Sequence, residues 1–217
     1  MPETEPIFDP DCKRCDRLAR FLRSVQSKHP EYHCRPVPPF GDARPQLLVV
    51  GLAPGKHGAN ASGRPFTGDH AGILLYETLH AFGFASRPQS IHKDDGLQLQ
   101  NCRITNAVKC LPPENKPTTG EVRECNAYLQ RELTGLKAGS VVLALGAVAH
   151  KAVLIAMSLK LSAYPFAHGK SYLLNNDALH LLDSYHCSRY NTQTRRLTPE
   201  MFRTVFATAR ELIDSRG

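Results

Sequence analysis

SVVLALGAVAHKAVLIAMSL, residues 140–159, is apolar for twenty positions apart from His150, Lys151 and two serines. That length suits a membrane span. A lysine near the centre of such a span costs roughly 2.5–3.5 kcal/mol on insertion scales, however, and Gly146 splits the run in two. The stretch therefore predicts a buried strand over 140–145, a turn at Gly146 and a buried helix after it. The chain is expected to make no contact with membrane.

The same grammar repeats outward from this stretch. QLLVV at 46–50 runs into Gly51 as a fully buried parallel strand would. Further strands are expected over 102–107 and 179–183, with a short one at 172–174. Leu18, Phe21, Leu22 and Val25 fall at helical spacing within 10–28, and 71–82 reads as a second helix. Thr119 is expected to cap a helix running to 133. Thr198-Pro199-Glu200 opens a last helix that ends near 215. Residues 87–101 are polar and read as a surface excursion. Strands alternating with helices predict an α/β fold: a single-domain three-layer sandwich with a mainly parallel four-stranded central sheet. The one domain would span 1–217, with 1–9 flexible. Sheets of this kind bind ligands at the carboxyl ends of their strands. The loops leaving that edge are 51–70, 109–118 and 185–198.

Composition narrows the partners. The chain has 217 residues and a net charge of +7, from 27 Lys+Arg against 20 Asp+Glu. Polyanion binding becomes plausible at that level. With no Trp, any base-stacking surface must come from Phe, Tyr or His. The first eleven residues carry neither a basic start nor an apolar core, so they do not read as a secretory signal. A cytoplasmic, reducing setting is expected, which disfavours structural disulfides.

Seven cysteines then need another use. Cys12 and Cys15 form C-K-R-C, and Cys110 and Cys125 follow with fourteen residues between them. Four thiolates suit tetrahedral zinc or an iron–sulfur cluster. A zinc ribbon would repeat the tight C-x₂-C knuckle, and the open second pair favours a [4Fe–4S] cluster over zinc. Cys34 and Cys102 read as small apolar residues.

The loops carry the remaining chemistry. GLAPGKHG from Gly51 is not a phosphate loop, because only three residues separate Gly51 from Gly55 and His57 follows Lys56. Its glycines and proline suit a tight turn beneath a flat ligand. In GRPFTGD, residues 63–69, Phe66 is either core filling or a platform for a base. Asp69 either caps the helix after it or holds water or a cation at a cleft mouth. The last loop, YHCSRYNTQTRRLT from Tyr185, gathers His186 with the donors Ser188, Asn191, Thr192 and Thr194 and the charges of Arg189, Arg195 and Arg196. Such a set suits phosphate clamping and entry into a duplex groove.

Taken in order, C-x₂-C, GLAPG, GRPFTGD, ITNAVKC with NKPT and a fourth cysteine, and H-x-S-x-x-N-x-x-T-x-R-L-T resemble the uracil-DNA glycosylase superfamily, and most closely its iron–sulfur type-5 branch. The resemblance runs from Cys12 to the last helix. It implies a DNA repair enzyme, acting as a monomer, that flips uracil out of DNA, hydrolyses the N-glycosidic bond and leaves an abasic site. Hypoxanthine and xanthine are implied as further bases. Cys12, Cys15, Cys110 and Cys125 would hold the [4Fe–4S] cluster, presenting Lys13, Arg14 and Lys109 to phosphates. Gly51, Leu52 and Ala53 would line the base pocket, Phe66 would stack on the base, and Asn106 would read its amide edge, with Asn115 in reserve. His186 would donate to the O2 oxygen of the departing base. Asp69 would steady the sugar cation and orient water, and Asn191 would help hold the geometry. Ser188, Arg189, Arg195 and Arg196 would contact DNA.

Two positions depart from the superfamily's usual pattern. Leu52 stands where the best-known members carry a water-handling acidic or amide residue, and leucine is what the type-5 branch carries there. Cys187 stands where proline is usual, giving up a fixed φ. The competing readings are an iron–sulfur module of the same fold that binds DNA or RNA without chemistry, and a zinc-stabilised hydrolase of small nucleotides.

Overall fold

A computed structural model describes residues 8–174 and 179–215; most of the expected flexible N-terminus, residues 1–7, lies outside them. The run at 140–159 is β4 (Ser140–Leu145), Gly146 and α5 (Ala147–Ala156). Gly146 takes φ 95°, a left-handed turn that glycine makes without steric cost. Among the described residues no helix is long and apolar enough to cross a membrane.

The remaining elements are α1 (Asp16–Gln26), β1 (Phe40–Gly41), β2 (Leu47–Gly51), α2 (Ala59–Ser62), α3 (His70–Ala81), β3 (Cys102–Asn106), α4 (Thr119–Thr134), β5 (Ser171–Leu174), β6 (Leu179–Ser184), α6 (Arg189–Gln193) and α7 (Pro199–Asp214). The sheet has six strands rather than four, in the order β1-β3-β2-β4-β6-β5. The four expected strands are its parallel centre, and β1 and β5 close its edges antiparallel. Two-residue β1 was too short to leave a pattern in the sequence.

Period-two alternation makes the three layers. Leu47, Val49, Val141 and Leu143 pack with Leu75 and Leu79 of α3 and Phe202 and Phe206 of α7. Leu48, Val50, Val142 and Ala144 face the other way, onto Leu129 of α4 and Val153 of α5. Because both faces are covered, β2 and β4 are buried throughout, and their continuous apolar runs follow.

Helix starts follow local chemistry. The α4 cap is Thr118, one residue before the expected position. It makes a reciprocal box in which its Oγ1 accepts from the Glu121 N–H at 3.2 Å and Glu121 Oε2 accepts from the Thr118 N–H at 2.8 Å. Arg17 of α1 grips the same Glu121 carboxylate with two N–H groups, at 2.8 and 2.7 Å. The N-terminal helix is thereby fastened to the start of α4.

Residues 87–101 are more than a surface excursion. Leu97 and Leu99 are buried, and Asp95 accepts from the Ile91 and Leu97 N–H groups while pairing with buried Arg64. A guanidinium distant in sequence is what orders this segment.

Candidate active site

All four parallel strands end at one edge. Gly51 lies beside Asn106 in the β2–β3 register, and Leu145 beside Ser184 in the β4–β6 register. The loops after β2 and β4 lead to helices on opposite faces, so a crevice opens between those strand ends. A cavity of about 530 Å³ sits there, lined in part by Leu52, Ala53, Phe66, Asp69, Asn106 and His186.

Its floor depends on the absence of a side chain. A Cβ on Gly51 would come within 2.4 Å of Asn106 Oδ1 and 2.7 Å of Phe66 Cζ. The Ala107 and Val108 N–H groups donate to the Gly51 and Leu52 carbonyls at 2.9 and 3.0 Å, fixing the loop to the end of β3. Asn106 is buried, and among the described residues its Oδ1 has no hydrogen-bond partner. A buried acceptor left open is costly, and it marks a place for a ligand donor.

Phe66 adopts φ 57°, a left-handed conformation uncommon for a bulky residue. Neighbouring contacts hold it. Arg64 places two N–H groups on the Asp95 carboxylate at 3.0 and 2.7 Å and another on Thr67 Oγ1 at 2.9 Å. The Tyr76 hydroxyl donates to the Pro65 carbonyl at 2.8 Å. So held, the Phe66 ring lies near-parallel to that of His186, at 24° with centroids 5.9 Å apart.

Asp69 occupies the N-cap position of α3, yet its side chain makes no cap bond to that helix. The carboxylate turns back onto the glycine loop, where Oδ2 accepts from the Ala59 N–H at 3.2 Å. A Cβ on Gly58 would fall 1.9 Å from its Cγ. Burial raises the Asp69 pKa above the usual carboxylate value, opposed by the Ala59 N–H and by His57. Asp69 is the one carboxylate among the residues lining the cavity.

Burial pushes His186 down to about 4, so the imidazole is neutral at ordinary pH and offers one N–H. Asn191 does not line the cavity. Its Nδ2 donates to the His186 carbonyl at 2.8 Å, pinning the loop from behind. Ser188 and Arg189 do line it, and Ser188 caps α6. Arg195 and Arg196 stand exposed beyond the cavity, with the Arg196 guanidinium 4.7 Å over the Tyr185 ring. Cys187 is wholly buried in the core, its thiol pushed up to about 12, chiefly by burial. Its position fits an apolar replacement for proline.

The sequence reading passed over several rim residues. His70 lines the cavity and bonds Thr192 Oγ1 at 3.2 Å, tying α3 to α6. Tyr190 and Ile73 are 69% and 57% exposed on the two helices that flank the opening, and exposed Val148 lines it. Only an exposure map reveals these. Asn115, the reserve candidate, also lines the cavity.

The four cysteines of the expected set line one small cavity between α1 and α4, together with Leu18 and Tyr128. Burial, then the charge of neighbouring cysteines, pushes Cys15 up to about 11 and Cys110 up as well. Four such sulfurs become thiolates together only around a cation. The Tyr128 hydroxyl is buried there beside the Cys12 thiol. Among the described residues no three Cys, His, Asp or Glu side chains gather so as to hold a metal ion. Lys109 does not face phosphates. Its ammonium is buried against Glu132 Oε1 of α4 at 2.6 Å. Lys13 and Arg14 are exposed.

Comparison with known proteins matches this geometry. A profile described as the Uracil DNA glycosylase superfamily matches residues 38–210. A type-5 uracil-DNA glycosylase of Thermus thermophilus is 46% identical, over 93% of both chains. One from Mycobacterium leprae is 40% identical over 93% of this chain and 91% of its own. A type-4 uracil-DNA glycosylase of Saccharolobus solfataricus is 29% identical over 89% of this chain and 80% of its own. A family profile over most of the chain and near-full-length likeness to type-5 enzymes lead to one conclusion: the chain belongs to the uracil DNA glycosylase superfamily, on its type-5 branch.

Proposed function

We propose that this protein excises uracil from DNA by hydrolysing its N-glycosidic bond. The observation that carries this reading is the convergence of Asp69, Phe66, Asn106 and His186 on one cavity, with the Asn106 acceptor left open. An extruded uracil packs against Phe66 and gives its N3–H to Asn106 Oδ1. The neutral His186 N–H donates to O2, where negative charge gathers as the base departs. One well-placed donor to a developing anion is worth about 2.7–4 kcal/mol. Asp69 stabilises the cationic sugar and orients a water toward C1′. The water oxygen bonds to C1′, the C1′–N1 bond breaks, and the base leaves with the electron pair. The water's proton passes to Asp69 or to solvent.

Leu52 lines the cavity with an aliphatic side chain that handles no water, so leaving-group stabilisation dominates. A cavity of about 530 Å³ has room for purines, and hypoxanthine and xanthine are proposed as slower substrates. Exposed Tyr190 and Ile73 meet the bases around the extruded nucleotide, and Arg189, Arg195 and Arg196 meet phosphates.

Cys12, Cys15, Cys110 and Cys125 are proposed to hold a [4Fe–4S] cluster, supported by their shared cavity. The four cysteines would ligate its irons as thiolates, and the cluster would supply no electron to hydrolysis. Its ligands tie the N-terminal segment, Cys110 and α4 together beside exposed Lys13 and Arg14.

The test is to incubate the pure protein with a uracil-containing duplex and then treat with alkali. Strand breaks at the uracil site support excision. Tight binding without breaks favours the non-catalytic module.

A further inference from the structure

The Tyr185 backbone, one residue before His186, is held by a side chain where the sheet runs out. Asp183 of β6 donates its N–H to the Lys170 carbonyl at 2.9 Å, just before β5 begins. Two residues on, the Tyr185 N–H faces the same side, and with no strand beside it donates to His168 Nδ1 at 3.1 Å. The two rings also stack, with centroids 4.9 Å apart and planes at 12°. His168 is itself fixed on both sides by Asp183. The Gly169 N–H donates to the Asp183 carbonyl at 2.8 Å, and the Ala167 N–H to Asp183 Oδ2 at 3.3 Å. Oδ1 of the same buried carboxylate bonds His150 Nδ1 of α5 at 2.7 Å.

We propose that His168 is a positioning residue for the reaction, holding the Tyr185 backbone so that the neighbouring His186 ring aims at the departing base. Among the described residues no hydrogen bond holds the His186 ring itself. Its aim depends on the stack with Phe66 and on the backbone either side of it. Behind it, Asn191 Nδ2 donates to the His186 carbonyl at 2.8 Å. Ahead of it, His168 supplies the matching restraint. Because Nδ1 accepts, the ring proton sits on Nε2 and His168 works as a neutral imidazole, the form that its burial favours.

The Tyr185 ring has other partners. Phe166 lies 6.2 Å away between centroids, and the Arg196 guanidinium stands 4.7 Å over the ring. The Tyr185 N–H has no such reserve, and without Nδ1 it loses its acceptor. The hydrogen bond, more than the stack, therefore carries the effect.

This inference rests on the uracil-excision reading, and the experiment separates the two. Single-turnover release of uracil and of 5-fluorouracil from matched duplexes is measured for the wild type, His168→Phe and His168→Asn. Phenylalanine keeps a stacking ring without the acceptor, and asparagine places Oδ1 where Nδ1 stood. His168→Phe is expected to slow uracil release about tenfold, part of the roughly 100-fold cost of a displacement of about 1 Å, with duplex affinity changed less than about twofold. 5-Fluorouracil departs more readily as an anion and leans less on the His186 N–H, so its loss should stay under about threefold. His168→Asn is expected to bring uracil release back to within about threefold of the wild type. The two losses are compared in one folded sample, so a fall in stability alone does not separate them. Equal losses on the two bases, a loss confined to affinity, or no recovery in His168→Asn overturns the inference while leaving excision intact. A wild type that releases no uracil overturns both.

Discussion

Replacing Gly58 with alanine should disable the site while leaving the fold in place. The new Cβ would lie 1.9 Å from Asp69 Cγ and 2.0 and 2.2 Å from its two oxygens. Carbon atoms pack at about 3.5 Å, so the carboxylate must retreat by about 1.5 Å. A displacement of about 1 Å at a reacting centre costs on the order of 100-fold in rate. That is about 2.7 kcal/mol of transition-state stabilisation. Stability changes far less, since the main loss is the single Ala59 hydrogen bond at 3.2 Å. At about 1 kcal/mol, the melting temperature should fall by roughly 2–4 °C. Single-turnover release of uracil gives the rate, titration of a uracil-containing duplex gives affinity, and a thermal melt checks the fold. Because the three atoms nearest the methyl all belong to Asp69, adding it to Asp69→Ala should cost little further. A Gly58→Ala enzyme within threefold of wild type, or additive losses in the double variant, would refute the reasoning.

The remaining predictions concern the other parts of the account. Asn106→Ala should lower kcat/KM for uracil by roughly 10–100-fold while leaving binding to undamaged duplex unchanged, as competition titration reads; equal loss on both DNAs contradicts its role. His186 titrates near 4 when folded, against 6.5 ordinarily, so between those values the unfolded chain binds the extra proton more readily. Stability should therefore fall as pH drops from about 6.5 towards 4, and His186→Gln should fall less steeply in melts across that window; parallel curves contradict a buried neutral imidazole. Asp69 acts in the opposite sense on stability, its raised pKa favouring the fold at low pH. Arg195→Ala or Arg196→Ala should weaken binding to all duplexes and reduce the salt slope by about 1; an unchanged slope removes them from the phosphate interface. Cys110→Ala should lower iron content, melting temperature and DNA affinity together, whereas loss of turnover with folding and binding intact would contradict a fastening role.

The parallel centre of the sheet was legible in the sequence because its strands are buried on both faces and so written as unbroken apolar runs, QLLVV and SVVLAL. Of the edge strands, β5 was expected as a short run over 172–174, whereas β1, two residues long, left no pattern. The site was legible through residue types in order along the chain, but their tasks were less so. Asn191 was expected to help hold the geometry, and its amide donates to the His186 carbonyl from outside the cavity. Asp69 offered two readings, and the turn of its carboxylate towards Gly58 set aside the helix cap. The Arg64–Asp95 latch, the burial of Lys109 against Glu132 and the Tyr32–His57 contact each join residues at least 23 positions apart. No local pattern encodes pairings of that range.

Where the base goes is the most direct test. A crystal structure of the Asp69→Asn protein with a uracil-containing duplex should show the uracil rotated out of the helix, lying against Phe66, with N3 near the Asn106 carbonyl oxygen and O2 near the His186 ring. A uracil still stacked in the duplex above an empty cavity, or seated away from Asn106 and His186, would contradict the account.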